Sequence, residues 1–402
     1  MSVREPGIPS GKGFIPLSVP CLRGNEWAYV KECLDTNWVS SVGAFVGRFE
    51  SMTAAALGAD HAVATVNGTA ALHIALKLAG VEADDEVVVS DLTFIAPANV
   101  VRYLGAWPVF VDSEPRYWQM DPQKLRDFLR KDCTYTGGTL KNRHTGRRVA
   151  ALLPVHVLGH PCDMDPILEE AKAFGLPVVE DATESLGVRY KGRPAGSFGR
   201  MACLSFNGNK ILTTGGGGMM VTDDVDLARR ARYLTTQAKD DPVEYVHGEV
   251  GFNYRLTNVL AAIGVAQMEQ LESHVAGKRA TAGAYTWALS QIPGIRCPEE
   301  PEGAFSTFWL YSILVDEKKA GTNSRALLRH LDGRGIQARP LWQPMHLSPA
   351  HRGSYATDCA VAERLNRDGL SLPCSVGISD TEIEQVISSI AMISRNPDRI
   401  GP

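Results

Sequence analysis

The sequence predicts an α/β protein whose larger part is a mostly parallel, seven-stranded sheet between helices. Seven short apolar runs bounded by turn residues lie at 63–66, 86–90, 108–112, 149–155, 177–181, 201–206 and 217–222. Such runs are typical of buried strands, and the helical patterns between many of them indicate parallel pairing. Beyond residue 255 a strand at 305–316 and helices at 324–335 and 381–394 predict a smaller α+β domain.

We divide the 402 residues into three segments. Residues 1–14 are rich in Gly and Pro and are expected to be flexible, residues 15–255 form the large domain, and residues 256–402 form a small C-terminal domain with a linking helix. The turn GFNYR at 251–255 precedes a stretch without Pro that reads as one long helix to residue 274.

Composition excludes several classes of protein. An apolar share of 44% with 21% charged residues is ordinary for a soluble globular chain, and a net charge of −4 does not favour nucleic acid as a partner. Because no apolar run reaches the roughly 18 residues of a membrane span, we expect no membrane partner. The eight cysteines are scattered, which predicts no disulfide framework, no metal site and a reducing, cytoplasmic location.

The first strand ends in a turn that suits a phosphate group. Asn67, Gly68 and Thr69 follow the run at 63–66, and a helical pattern begins directly after them. A glycine turn that opens a helix presents backbone N–H groups and the positive end of the helix dipole. A plain strand–turn–helix corner is the alternative. Phe94, after the second strand, is either one more core aromatic or a residue of the same site.

The stretch from Val178 to Val221 carries the strongest chemical signal. Asp181 ends one strand, Ser205 ends the next, and Lys210 follows an Asn-Gly-Asn turn, so the three side chains are expected to converge. A lysine in a partly apolar pocket can form a Schiff base with pyridoxal phosphate. A buried carboxylate can pair with the protonated pyridine nitrogen of that cofactor. The alternative is an ordinary surface lysine with a strand-end carboxylate.

Several motifs in one order resemble a known family. EDATES, SFNGNK, TTGGGG and GFNYR are similar to the DegT/DnrJ/StrS aminotransferases of nucleotide-sugar biosynthesis. The resemblance implies a fold-type-I enzyme that uses pyridoxal 5'-phosphate, with Lys210 as the Schiff-base lysine and Asp181 on the pyridine nitrogen. Related sugar dehydratases carry histidine in place of the lysine, so the lysine favours transamination.

The resemblance also implies further cofactor contacts. Gly68, Thr69 and Ser205 would bind the cofactor, Phe94 would stack on its ring, and Asn253 would reach the phosphate in the neighbouring subunit of a homodimer with shared active sites. Glu184 lies where relatives often carry Gln or His near the ring oxygen, a departure that weakens this assignment. The expected substrate residues are Trp38, Ser40, Arg255 and His346.

The resemblance further implies the reaction. L-glutamate would donate its amino group to C4 of a UDP-linked 4-keto-6-deoxy-N-acetylhexosamine, and the alternatives are a dTDP- or GDP-linked keto sugar or amination at C3. Two other classes stay open: a dehydrogenase-like enzyme that uses the TTGGGG stretch as a phosphate loop, and a non-catalytic regulator on an aminotransferase fold. The TTGGGG spacing matches neither dinucleotide nor P-loop patterns, which disfavours the first.

Overall fold

The computed structural model describes residues 13–241 and 243–395, so nearly all of the predicted flexible segment lies outside the described residues. At the centre is a sheet of seven strands that correspond to the seven predicted runs. In chain order they are β1 (His61–Thr65), β2 (Glu86–Ser90), β3 (Trp107–Val111), β4 (Val149–Leu153), β5 (Val179–Asp181), β6 (Met201–Ser205) and β7 (Gly218–Thr222).

The spatial order of the sheet is β1-β7-β6-β5-β4-β2-β3. Parallel bridges from Leu152 to Val178 and from Val155 to Asp181 join β4 to β5, and only β7 runs antiparallel to its neighbours. The two residues Tyr355–Ala356 add a parallel pair beyond β3. The predicted mostly parallel, seven-stranded sheet is therefore confirmed.

Helices cover both faces of this sheet. Alternate residues of β7 belong to different cores, since Met220 packs in one apolar cluster and Met219 and Val221 pack in another. A sheet buried on both faces has apolar strands throughout, which explains the continuous apolar runs. The helices are α1 (Glu26–Asp35), α2 (Ala44–Leu57), α3 (Gly68–Leu78), α4 (Ala96–Tyr103), α5 (Pro122–Asp127), α6 (Met164–Phe174), α7 (Val225–Thr235), α8 (Asn258–Met268), α9 (Leu271–Leu289), α10 (Glu317–Ala320), α11 (Ser324–Asp332), α12 (Ala360–Asp368) and α13 (Asp380–Arg395).

The C-terminal part contains a second sheet. Strands β8 (Ile295–Arg296), β9 (Tyr311–Val315), β10 (Arg339–Pro340) and β11 (Gly369–Leu372) pair antiparallel in the order β8-β9-β11-β10. Ile15, although predicted to open the large domain, pairs with Ile336 beside this sheet. The single helix predicted up to residue 274 is wrong, because the chain forms α8 and α9 with a break at 269–270. The domain boundaries themselves stay a prediction.

The remaining strands are short pairs at the surface: Cys133–Thr136 with Thr139–Asn142, Lys239–Asp241 with Val246–His247, and Arg189–Tyr190 between Arg193–Pro194 and Ala304–Phe305. Within the described part of the chain, no helix combines the length and the apolar character that crossing a lipid bilayer requires.

Candidate active site

A cavity of about 520 Å³ lies where the carboxyl ends of β1, β5 and β6 meet. These strands run in the same direction, since β7 is antiparallel to both β1 and β6, so their ends share one edge of the sheet. Seven residues singled out from the sequence line this cavity: Gly68, Thr69, Phe94, Asp181, Glu184, Ser205 and Lys210. The expected convergence of Asp181, Ser205 and Lys210 is therefore present in the fold.

Lys210 lies in the turn after β6, and its amine points inward. Its side chain is 13% exposed, and Nζ lies 3.5 Å from Oε1 of Glu184. The same Nζ lies 4.0 Å from the ring centroid of Trp309. The backbone N–H of Lys210 donates to the carbonyl of Asn207, which fixes the turn. The amine therefore faces the cavity, which is the position that a nucleophile needs to attack a bound aldehyde.

Asp181 at the end of β5 is almost fully buried. Its Oδ1 accepts the backbone N–H of Thr183 at 3.0 Å. Burial raises the pKa of the Asp181 carboxyl, while the hydrogen bonds from Thr183 and the charge of Lys210 oppose the rise. A buried carboxylate is stabilised by a cationic partner, and a protonated pyridine nitrogen in this cavity is such a partner.

Glu184 is buried beside Asp181 and is held at both oxygens. Oε2 accepts the backbone N–H of Leu158 at 2.9 Å, and Oε1 faces Lys210. Leu158 has a φ of 60°, in the left-handed region, which turns its N–H toward the site. Burial raises the pKa of Glu184, and the charge of Lys210 opposes that rise.

The turn between β1 and α3 forms the opposite wall. Asn67 caps α3, and its side chain accepts the N–H of Ala70 at 2.8 Å. The first helical residue is Gly68, where an added Cβ would lie 2.9 Å from Cβ of Ser205. The helix start, with the hydroxyls of Thr69 and Ser205 beside it, suits an anionic phosphate.

The residues present fit pyridoxal phosphate. The cavity offers an inward amine, a buried carboxylate, a helix N-terminus and a half-exposed aromatic ring, Phe94. When bound, this cofactor withdraws electrons from the α-carbon of the amino acid that is joined to it. The amine of Lys210 would hold it, the carboxylate of Asp181 would face its ring nitrogen, and the start of α3 would take its phosphate.

Five other predicted residues do not line this cavity. Asn253 and Trp38 are exposed, and the backbone carbonyls of Trp38 and Ser40 accept hydrogen bonds from Asn258. The guanidinium of Arg255 forms an ion pair with Glu50 at 2.5 Å.

His346, the fifth of these residues, does not line the cavity, and both of its ring nitrogens face carboxylates. Its Nδ1 lies 2.8 Å from Oδ2 of Asp91, and its Nε2 lies 3.3 Å from Oε1 of Glu363. Its substrate role, and those of Trp38, Ser40 and Arg255, stay predictions.

Sequence reasoning did not find several residues of the site. Trp309, Leu158 and Thr183 contact the predicted residues, and Arg339 lines the same cavity. Trp309 lies in a predicted strand, and its indole N–H donates to the carbonyl of Asn209 at 2.7 Å. No local pattern distinguishes it from a core aromatic, since its partner is 100 positions away in the chain.

His156 has a buried carboxylate partner 24 positions away in the chain. Its Nε2 lies 2.9 Å from Oε2 of Glu180, and both side chains are fully buried. Its Nδ1 accepts the backbone N–H of Cys162, so Nε2 carries the proton and donates to Glu180. Glu180 and Asp181 are neighbours in β5, so Glu180 faces the core while Asp181 lines the cavity.

Comparison with known proteins shows the family of this chain. The sequence profile of the DegT/DnrJ/EryC1/StrS aminotransferase family matches residues 20–391. The chain is 41% identical over 380 residues to the GDP-perosamine synthase of Caulobacter vibrioides, covering 94% of this chain and 98% of the relative. It is 36% identical over 377 residues to the GDP-perosamine synthase of Escherichia coli O157:H7, covering 94% and 98%.

Among solved structures, the aminotransferase TlmJ from Streptoalloteichus hindustanus matches with a TM-score of 0.85 and 30% identity, over 94% of this chain and 98% of that one. The predictions of the fold, of an aminotransferase and of pyridoxal phosphate as cofactor are confirmed. The chain belongs to the DegT/DnrJ/EryC1/StrS aminotransferase family and is a pyridoxal-phosphate-dependent aminotransferase of nucleotide-linked keto sugars.

Proposed function

We propose that this enzyme transfers the amino group of L-glutamate to C4 of a GDP-linked 4-keto-6-deoxy sugar. The observation that carries the proposal is the 41% identity, over nearly the full length of both chains, to a protein named GDP-perosamine synthase. A second relative of that name at 36% identity supports the same nucleotide. The UDP-linked N-acetylhexosamine expected from the motifs has less support, and the GDP-linked alternative is the better one.

The residues of the cavity have distinct roles in this proposal. Nζ of Lys210 would take the proton from the α-carbon of the donor, hold it as an ammonium and then give it up. The carboxylate of Asp181 would keep the ring nitrogen of the bound cofactor protonated, and the electron withdrawal by that ring supports the proton transfer. Gly68, Thr69 and Ser205 would hold the phosphate, and Phe94 would cover the ring.

The far wall of the cavity suits an anionic substrate. The exposed side chain of Arg339 lines it together with Trp342, and both come from the C-terminal part of the chain. A guanidinium there can pair with the carboxylate of glutamate or with a diphosphate, and an indole offers a flat face to a sugar or base.

We also propose a homodimer in which each subunit completes the site of its partner. Asn253 is exposed and does not line the cavity of its own chain. That position supports a contact with the cofactor phosphate of a neighbouring subunit rather than of its own.

The experiment is a comparison of matched substrates. The purified enzyme with L-glutamate would be given GDP-, dTDP- and UDP-linked 4-keto-6-deoxy sugars, the UDP sugar with and without a 2-acetamido group, followed by product analysis. We expect the GDP-linked sugar to be aminated at C4 with the highest kcat/KM. Preference for another nucleotide, or amination at C3, would contradict the proposal while leaving the cofactor chemistry in place.

A further inference from the structure

The amine of Lys210 lies close to two groups that come from different parts of the chain. Oε1 of Glu184 lies 3.5 Å from Nζ, and the ring centroid of Trp309 lies 4.0 Å from the same atom. A carboxylate and the face of an indole are both groups that attract a cation. Glu184 therefore offers Nζ a negative charge, and Trp309 offers it the electron-rich face of its ring.

Glu184 is held firmly in this position. Its second oxygen accepts the N–H of Leu158, and its side chain is only 4% exposed, so water competes little for the first oxygen. Trp309 is held as well, because its indole N–H donates to the carbonyl of Asn209. Behind it, the buried amine of Lys278 donates to the backbone carbonyl of Trp309 at 2.8 Å.

Lys210 is charged during part of each half-reaction. When Nζ removes the proton from the α-carbon of the donor, the C–H bond breaks, its electron pair stays with the carbon, and a new N–H bond makes Nζ an ammonium. When Nζ gives this proton up, the N–H bond breaks, its electron pair stays on nitrogen, and Nζ becomes neutral again. A group that stabilises the ammonium lowers the barrier to the first transfer, as a carboxylate does for an imidazolium in a catalytic triad.

We propose that Glu184 is this group: its carboxylate, together with the indole of Trp309, stabilises the ammonium form of Lys210 and so promotes removal of the donor's α-proton. Between the two buried carboxylates of the cavity, Glu184 is the one with an oxygen paired to Nζ. Burial raises the pKa of Glu184, and the charge on Lys210 opposes that rise.

The test uses Glu184→Gln, which keeps the shape of the side chain and an oxygen for the N–H of Leu158. Holoenzyme converted with L-glutamate and then desalted carries a free Lys210. It would be treated with an acetylating reagent between pH 6 and 10, and labelling of Lys210 would be measured by peptide mass spectrometry. Loss of the carboxylate should move the midpoint of labelling down by about one pH unit or more.

The rate provides the second measurement. In single turnover with L-glutamate, Glu184→Gln should react ~10-fold to 100-fold more slowly, the loss expected for a charged hydrogen bond. Glu184→Asp, which keeps the charge, should recover part of this rate. Glu302→Gln, an exposed carboxylate away from the cavity, is the matched control and should behave as wild type.

Either of two results would overturn the proposal. One is a labelling profile of Lys210 that is the same in wild type and Glu184→Gln. The other is a lower midpoint with a single-turnover rate within about twofold of wild type. If Glu184→Gln fails to bind cofactor, Trp309→Leu tests the second group beside Nζ. We expect this variant to lower the midpoint of Lys210 labelling by less than the loss of the carboxylate would. An unchanged labelling profile would contradict the proposal.

Discussion

Asp181 and Glu184 are three positions apart, yet their carboxylates serve different partners. Asp181 ends β5 and lines the cavity, where we propose that it pairs with the cofactor ring, whereas Glu184 lies in the following loop and faces Lys210. Both are buried, and burial raises the pKa of each carboxyl. A second cation would favour ionisation of both carboxyls beside the one lysine, and the protonated pyridine nitrogen of a bound cofactor would be such a cation.

Asp181→Asn tests the residue scale. The amide keeps an oxygen for the N–H of Thr183, so the fold should persist, but the charge on the ring nitrogen loses its partner. A charged hydrogen bond of this kind is worth about 1.5–3 kcal/mol, so kcat should fall by a factor of roughly 10 to 100.

The cofactor content of the purified variant would be measured by the absorbance of cofactor released with alkali. We expect this content to fall by a smaller factor than kcat. Wild-type activity in Asp181→Asn would mean that the carboxylate has only a structural role.

At the scale of elements, β7 and the β1–α3 turn approach each other closely. A Cβ on Gly218 would lie 2.3 Å from the carbonyl carbon and oxygen of Asn67. This contact fixes the turn that presents Gly68 to the cavity. The run of four glycines in TTGGGG is thus explained in part by close packing of backbone against backbone.

We predict that Gly218→Ala displaces this turn, lowers stability by about 1–3 kcal/mol and weakens cofactor binding. Gly216→Ala is the matched control, because a Cβ there meets its nearest atom, the carbonyl oxygen of Val66, at an ordinary 3.7 Å. Thermal unfolding and cofactor titration of both variants measure the difference. Equal behaviour of the two would contradict the close-packing explanation.

A second element-scale feature is the loop at 196–199, which is attached to the end of β5 by Glu180. Its oxygens accept the backbone N–H groups of Gly196, Phe198 and Gly199, as well as Nε2 of His156. Burial opposes ionisation of Glu180, but these donors lower its pKa below the usual value.

Glu180→Gln should therefore lower the free energy of unfolding at pH 7 by about 3–5 kcal/mol, because the amide nitrogen would face N–H donors. A lowered pKa means that the stabilisation is complete above the unfolded-state pKa of about 4.3 and is lost as the pH falls through the folded-state pKa.

Urea unfolding at pH 7 and below pH 4 should show the gap between wild type and variant narrowing in acid. Glu169→Gln, an exposed carboxylate, is the control for loss of charge. A gap that stays constant would contradict ionisation of Glu180 as the cause.

At the scale of the whole molecule, one chain supplies Lys210, the two carboxylates and the turn between β1 and α3, while Asn253 does not line the cavity of its own chain. In a dimer with shared sites, a mixture of Lys210→Ala and Asn253→Ala subunits contains mixed dimers with one complete site. Dissociated and reassociated in equal amounts, the two inactive variants should recover about a quarter of wild-type activity.

The matched control is a mixture of Lys210→Ala with Asp181→Asn. Both residues line the cavity of the same chain, so no complete site can form and activity should not rise. Full activity of a monomer in sedimentation, or no recovery in the first mixture, would contradict the shared site.

The sequence alone determined the strands, the large sheet and the residues at the ends of its strands. Apolar runs mark β1 to β7 because a sheet covered on both faces favours apolar side chains. Parallel strand ends share one edge, so Gly68, Asp181 and Ser205 had to lie together. Lys210 lies five residues after the end of β6, so its position near the same edge could also be predicted from the sequence.

Only the tertiary structure decided which distant groups contact these residues. Trp309 against Lys210, Leu158 on Glu184 and Arg255 paired with Glu50 join segments whose separation in the chain carries no periodic signal. The break between α8 and α9 and the pairing of Ile15 with Ile336 have the same origin. Local propensity is set by neighbours in the chain, whereas these contacts depend on how finished elements pack, which a linear pattern does not encode.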